Sequence, residues 1–390
     1  MKKMYVGNIC KSVSETFNKQ QDSVILINTS DILNGKILNN KKEPNNNLKG
    51  QFKKTFKTAD ILYSEIRPAN KRFAFVSEEN TKNYVASTKL MVIRAFKEFV
   101  VPKYLYLYLT SSEIVNKLQQ LAESRSGTFP QITFSEEISN LVINLPSQNI
   151  QNKIVDFISS IDNKIEVNNQ INKNLEEQAQ SIFSKIINKS SKFVVSLSEI
   201  AMLNPRRILS KGKIARYIDM SQLSTSTSFP SGWDYKKFNG GMRFCNGDTL
   251  LARITPCLEN GKTAYVNFLD DKEVAFGSTE YIVMCSKGIY PNEFFYCLAR
   301  YSDFVDYAVK NMNGSSGRQR VSAEIVGKYE LPKINDSDLQ EFMDIVPNLF
   351  NICRTNNLEN MNLEKIRNTL LPRLMSGEID VSKLGGGVGR

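Results

Sequence analysis

The chain has 390 residues, 41% hydrophobic and 23% charged, with a formal net charge of +11. That length calls for two or more cores, and that balance belongs to a soluble globular protein without an apolar run long enough for a membrane span. Histidine is wholly absent, which removes the usual general base near neutral pH and a usual zinc ligand.

Met1-Lys2-Lys3-Met4-Tyr5-Val6 lacks the apolar core of a signal peptide. Val24-Ile25-Leu26-Ile27 and Leu90-Met91-Val92-Ile93 read as buried strands. Between them, residues 36–50, rich in Asn and Lys, read as an exposed loop. Residues 104–121 read as one helix, carrying Tyr104, Leu105, Leu109, Ile114, Leu118 and Leu121. Next comes a coiled-coil seam: Ile154, Ile158, Ile161, Ile165, Asn168, Asn172, Leu175, Ala179, Ile182 and Ile186 follow in steps of four and three. Residues 224–232 read as a second polar loop, and residues 249–252 and 280–284 as further buried strands. Residues 291–307 read as a second globular helix, with Phe294, Phe295, Leu298 and Phe304 in its core face. Pro347 is expected to start or kink a last helix, and Pro372 to disturb its end. The glycine-rich residues 385–390 read as a flexible tail.

The chain also repeats itself. Ala59-Asp60-Ile61-Leu62-Tyr63-Ser64-Glu65-Ile66-Arg67-Pro68 returns 188 residues later as Gly247-Asp248-Thr249-Leu250-Leu251-Ala252-Arg253-Ile254-Thr255-Pro256. Leu26-Ile27-Asn28-Thr29-Ser30 is echoed by Tyr217-Ile218-Asp219-Met220-Ser221, and Phe73-Ala74-Phe75-Val76 by Thr263-Ala264-Tyr265-Val266. Moving the seam by 188 lands on Phe342, Val346, Leu349, Cys353, Asn356, Asn360, Leu363, Arg367, Leu370 and Leu374. Both asparagines recur. A buried asparagine in such a seam lowers stability but sets register and partner.

The order is therefore globule, helix, globule, helix. The first helix leads to the second globule and the second leads back, so a packed pair must run antiparallel. Opposing the asparagines puts Asn168 by Asn360 and Asn172 by Asn356. The expected fold class is α+β: two similar α/β globules separated by an antiparallel pair of coiled-coil helices, pseudo-twofold symmetric. The expected domains are 1–146 and 193–334 for the globules, 147–192 and 335–384 for the helices, and 385–390 for the tail. A helix over residues 160–186 would be roughly 40 Å long, against roughly 34 Å for one turn of B-DNA.

Charge follows the same division. Residues 1–145 carry a net +8 and residues 196–335 a net +4, whereas the helical stretches 146–195 and 336–390 carry +1 and −2. Basic globules point to a polyanion, most simply nucleic acid. Cysteines 10, 245, 257, 285, 297 and 353 form no close pair, so reduced thiols in a cytoplasmic protein are expected, without metal.

At this point the residues resemble a family. Ile161-Asp162-Asn163-Lys164-Ile165-Glu166-Val167-Asn168, followed by Leu175-Glu176-Glu177-Gln178-Ala179-Gln180-Ser181-Ile182-Phe183, is similar to the central conserved helix of Type I restriction–modification specificity subunits. Leu370-Leu371-Pro372-Arg373-Leu374-Met375-Ser376-Gly377-Glu378-Ile379-Asp380 resembles their C-terminal signature, and Leu145-Pro146 and Leu331-Pro332 stand where a recognition domain gives way to a helix. The resemblance implies two target-recognition domains, each reading half of a split DNA site. It implies that the partner is double-stranded DNA and that the helices space the domains and dock two methyltransferase subunits, which carry S-adenosylmethionine and methylate adenine at N6. A motor–nuclease subunit is a further partner of such complexes. Cys353 and Arg367 roughen the second seam, a departure from an ideal pattern.

No catalytic motif of the chain's own stands out: no Asn/Asp-Pro-Pro-aromatic run for a flipped base, no cofactor loop, no phosphate loop. The chain is expected to be a non-catalytic recognition subunit. Arg and Lys suit guanine edges and Asn and Gln suit adenine, while phosphates accept any basic residue. The favoured DNA-reading segments are Arg125-Ser126-Gly127-Thr128-Phe129-Pro130-Gln131 and Ser316-Gly317-Arg318-Gln319-Arg320. Arg67, Asn70, Lys71 and Arg72, with Arg253 and Asn260, form a second candidate pair. Lys53, Lys54 and Lys57, with Lys236 and Lys237, suit phosphate contacts, and Arg206 and Arg207 suit either role. Two other readings stay open: a stand-alone DNA-binding regulator, and a nuclease built on Asp60 or Asp248.

Overall fold

Strand order repeats as the sequence does. The computed structural model describes residues 1–18, 21–45, 48, 50–124, 130–189, 193–315 and 317–381. It divides into two compact units, Met1–Asn163 with Leu363–Arg390, and Lys164–Asn362.

In the first unit, Cys10–Val13, Leu90–Ala95, Ile61–Ser64 and Phe73–Phe75 form an antiparallel sheet in that order. Glu43–Pro44, Ser23–Ile27, Tyr84–Ser87 and Phe52–Lys54 form a second sheet whose middle pair is parallel. Lys2–Tyr5 pairs with Val142–Leu145 as a separate ribbon. The second unit repeats each piece. Ala201–Leu203, Tyr281–Ser286, Thr249–Ala252 and Thr263–Tyr265 make one sheet. Asp234–Lys237, Ile214–Ile218, Ala275–Gly277 and Met242–Phe244 make the other, again with a parallel middle pair. Val194–Ser196 and Glu330–Pro332 make the ribbon. Ile61–Ser64 and Thr249–Ala252 are buried along their whole length, because both faces of these strands are covered and alternation is unnecessary.

The helices are α1 Pro102–Leu109, α2 Ser112–Glu123, α3 Gln148–Asn188, α4 Leu197–Ile200, α5 Asn292–Ala299, α6 Ser302–Lys310, α7 Ala323–Gly327 and α8 Asp336–Ser376. The expected single helix over residues 104–121 is thus two. α1 ends where the Thr110 amide bonds back to Tyr106 O and the Ser111 amide to Tyr108 O, and Ser111 is extended. Residues 291–307 divide the same way between α5 and α6. The two loops also differ from expectation. Short strands Lys36–Ile37 and Glu43–Pro44 lie within residues 36–45. In the 224–232 loop, Ser228 and Phe229 are buried, with Ser228 donating from its amide and hydroxyl to the Glu176 carboxylate of α3.

α8 begins at Asp336, well before Pro347. The Asn335 side chain accepts the Asp338 amide at 2.8 Å, and two acids in the first turn suit the positive end of the helix. Pro347 removes one backbone hydrogen bond, but the helix continues. Its neighbours Val346 and Phe350 are held in the core of the second unit, which supplies the packing that outweighs this loss.

Each unit shares its core with part of both long helices. In the first, Ile154 and Ile158 of α3 and Leu371, Leu374 and Met375 of α8 join Ile61, Tyr63, Leu105 and Leu118. In the second, Ala179, Phe183 and Ile186 of α3 and Phe342, Val346 and Phe350 of α8 join Met284, Phe294 and Leu298. The tightest seam positions therefore depart from the expected set. Ile158, Ile161, Asn168, Asn172 and Asn360 are buried, whereas Ile165, Leu175, Ile182, Leu349, Asn356, Leu363 and Leu370 are only half-buried. Phe183 and Leu371, each one residue further on, take the enclosed places of Ile182 and Leu370, because the helices bury a globule-facing side as well as a seam.

Within the second unit the asparagines form an antiparallel ladder. Asn168 donates to Asn360 Oδ1 at 2.9 Å and to Glu359 at 2.7 Å. Asn360 donates to Asn169 at 2.9 Å, and Asn356 to Asn172 at 2.8 Å. In the first unit Arg367 lies against Asp162 at 2.7 Å. An arginine in the seam is thereby satisfied by an acid across it.

Candidate nucleic-acid interface

In both units the fold brings two polar segments side by side. In the first, Ile66 and Gln131 face each other in an antiparallel bridge. Arg67 donates its amide to Pro130 O at 3.1 Å, and Ile132 to Glu65 O at 2.9 Å. In the second, Ile254 faces Arg320. Thr255 donates to Gln319 O and Val321 to Arg253 O, each at 3.0 Å. The same backbone junction thus carries different side chains in the two units.

In the first unit the junction leads into an unusual turn. Arg67 and Lys71 hold left-handed backbone angles, φ 45° and 52°, on either side of the turn Pro68–Asn70. Non-glycine residues in this region cost about 1–3 kcal/mol each. The turn is held partly by α2, whose Gln119 side chain accepts the Ala69 amide at 3.0 Å. Arg67, Asn70 and Lys71 are exposed and Gln131 is half-buried. Arg125 and Thr128 lie outside the described residues.

The neighbouring cations are committed elsewhere. Arg72 donates to the carbonyls of Ser30 and Ile32 at 2.9 and 3.1 Å, closing a loop. Lys54 donates to Thr88 O at 3.0 Å and Leu90 O at 2.8 Å, and burial lowers its pKa. Lys53 is exposed.

The second unit carries a denser cluster. The Arg320 guanidinium meets the Glu280 carboxylate through Nε and Nη2, at 2.9 and 2.8 Å. Arg253 Nε reaches the same carboxylate at 3.3 Å. These cations hold Glu280 below the usual carboxylate range, Arg320 first by its hydrogen bonds. Arg318 and Asn260 are exposed and Gln319 is half-buried. Lys236 and Lys237 are exposed on the strand Asp234–Lys237, with the Lys236 ammonium 4.0 Å over the Tyr217 ring. Arg206 is exposed, but Arg207 forms a structural pair with buried Asp248, at 2.6 Å.

Glu280 is the residue that sequence reasoning missed. A single glutamate before a strand carries no signal, and its partner Arg320 stands forty positions away.

Asp60 and Asp248 are saturated. Asp60 accepts the Lys57 amide at 2.7 Å and both sides of the Arg94 guanidinium at 2.8 and 2.7 Å. Asp248 accepts the Cys245 amide at 2.8 Å and the Arg207 guanidinium. Among the described residues no group of three or more Cys, Asp or Glu side chains is placed to hold a metal ion. Both carboxylates therefore act as turn anchors in this fold rather than as open metal ligands.

The family model described as the Type I restriction modification DNA specificity domain matches residues 5–177. Over 97% of this chain and 99% of the relative, the sequence is 30% identical to the HindI Type I restriction enzyme specificity subunit of Haemophilus influenzae. The chain belongs to the Type I specificity subunits. Another of them, MjaIX of Methanocaldococcus jannaschii, is 25% identical over 74% of this chain and 71% of its own. Among solved structures, the S subunit of the M. genitalium Type I restriction–modification system aligns over 96% of each chain, with a TM-score of 0.56 and 16% identity. These relatives favour a specificity subunit over a stand-alone regulator. In this specificity subunit no described helix is long and apolar enough to cross a membrane.

Proposed function

We propose that this specificity subunit reads a bipartite DNA target, one half by each unit, and that it performs no reaction itself. The observation that carries the reading is the junction present in both units, Ile66 with Gln131 and Ile254 with Arg320. A duplicated frame bearing different polar side chains is what a reader of two unlike half-sites needs.

Two methyltransferase subunits, supplied with S-adenosylmethionine, are the expected partners in the cytoplasm, joined in the restriction complex by a motor–nuclease subunit. Docking on the long helices is supported by their exposed apolar side chains, Val167 and Ile171 of α3 and Ile352 and Ile366 of α8.

The test is co-expression with the methyltransferase, followed by mapping of modified adenines in a host genome. A two-part motif with an unread gap is expected. Replacing Arg318 and Gln319 by alanine should alter one half only. An equal fall at every sequence would assign these two residues to phosphates.

A further inference from the structure

The backbone junction that carries Arg320, Glu280 and Arg253 in the second unit has a counterpart bearing other residues in the first. Arg253 donates its amide to Glu280 O at 3.0 Å, and at the equivalent junction Glu65 donates to Lys89 O at 3.2 Å. Where the second unit has Arg and Glu, the first has Glu and Lys. Where the second has Arg320, the first has Gln131.

The hydrogen bonds of Arg320 leave a defined remainder. A guanidinium has five N–H groups. Nε and Nη2 each direct one to Glu280, and Nη1 directs one to Arg318 O at 3.0 Å. One N–H on each terminal nitrogen is left without a partner among the described residues. Two such donors match guanine O6 and N7. Charge is also suitable, because two guanidinium groups share one carboxylate and the trio keeps a net positive charge. An arginine held in place before binding loses less side-chain freedom on contact.

We propose that Glu280 is a positioning residue that presets Arg320 to read a guanine in the half-site of the second unit. This rests on the reading that the Ile254–Arg320 junction faces DNA. The first unit, with Gln131, Glu65 and Lys89 at the matching places, reads its half-site by other means.

The experiment maps modified adenines for the full chain co-expressed with its methyltransferase. A wild-type chain that yields no two-part motif overturns the functional reading itself. Given such a motif, Glu280→Gln should relax one guanine-containing base pair, with discrimination there falling about 5- to 150-fold. Arg320→Lys, which keeps charge but loses the fork, should relax the same pair. Glu280→Asp should restore part of the discrimination. The other half-site and the gap should stay unchanged.

An unchanged motif, a uniform fall at all sequences, or relaxation at a pair without guanine each overturns the proposal. Thermal melting accompanies each variant. Should Glu280→Gln fail to fold, Glu280→Asp decides: partial relaxation at the one guanine pair that Arg320→Lys also relaxes supports preset reading, and any other pattern overturns it.

Discussion

At the scale of residues, the two copies solve one problem with different side chains. Asp60 and Asp248 occupy equivalent places and each caps a turn, yet one is held by Arg94 and the other by Arg207. A buried carboxylate needs a cation and hydrogen bonds, and where in the chain that cation comes from is free to drift. Glu176 is the contrasting case. Burial pushes its carboxyl up, against the hydrogen bonds from Ser228 and Tyr296 and the charge of Arg300. An acid with a raised folded pKa holds its proton more tightly when folded. Its contribution to stability is thus full below the unfolded value of about 4.3 and is lost as pH rises through the folded value. Glu176→Gln keeps the shape without the charge. Its melting temperature should therefore gain on that of the unaltered chain as pH rises from about 4 to 7; a difference that stays flat would show that the carboxyl is not strained by burial.

Among the elements, the asparagine ladder is where stability and specificity part. Asn168 and Asn172 are buried between α3 and α8, and Asn172 Nδ2 has no hydrogen-bond partner among the described residues. An unsatisfied buried donor costs about 1–3 kcal/mol. Replacing Asn172 and Asn356 together by leucine should raise stability by a similar amount, about 1–3 kcal/mol, measured by thermal unfolding. The same change should loosen register. Cysteine cross-linking between the helices should then trap more than one alignment, and a single trapped alignment would deny the asparagines that role. Helix spacing and both asparagines are visible in the sequence, because a seam has a fixed period. The places taken by Phe183 and Leu371 are not, since a helix that also roofs a globule buries a second side which no single period describes.

For the whole molecule, duplication is the governing fact. Two units with one strand order leave the long helices, each 41 residues, as the continuous elements common to both. On the reading proposed above, helix length sets the unread gap in the target. Four residues added to both α3 and α8 extend each by about 6 Å, and a base pair rises about 3.4 Å. The gap should widen by one or two base pairs, read from the methylation motif. A gap of unchanged length would count against helices acting as spacers.

The sequence by itself determined the twofold repeat, the alternation of globule and helix, and the family. Each of these is written as spacing or local pattern, which chain order preserves. The tertiary structure alone decided which cations are spent. Arg72 and Lys54 on backbone carbonyls and Arg207 on Asp248 look alike in a list of basic residues with Arg320, which Glu280 holds while leaving donors over. Their roles differ because hydrogen bonds and ion pairs depend on distance in space. Residues forty positions apart reach one another only after the strands between them have paired.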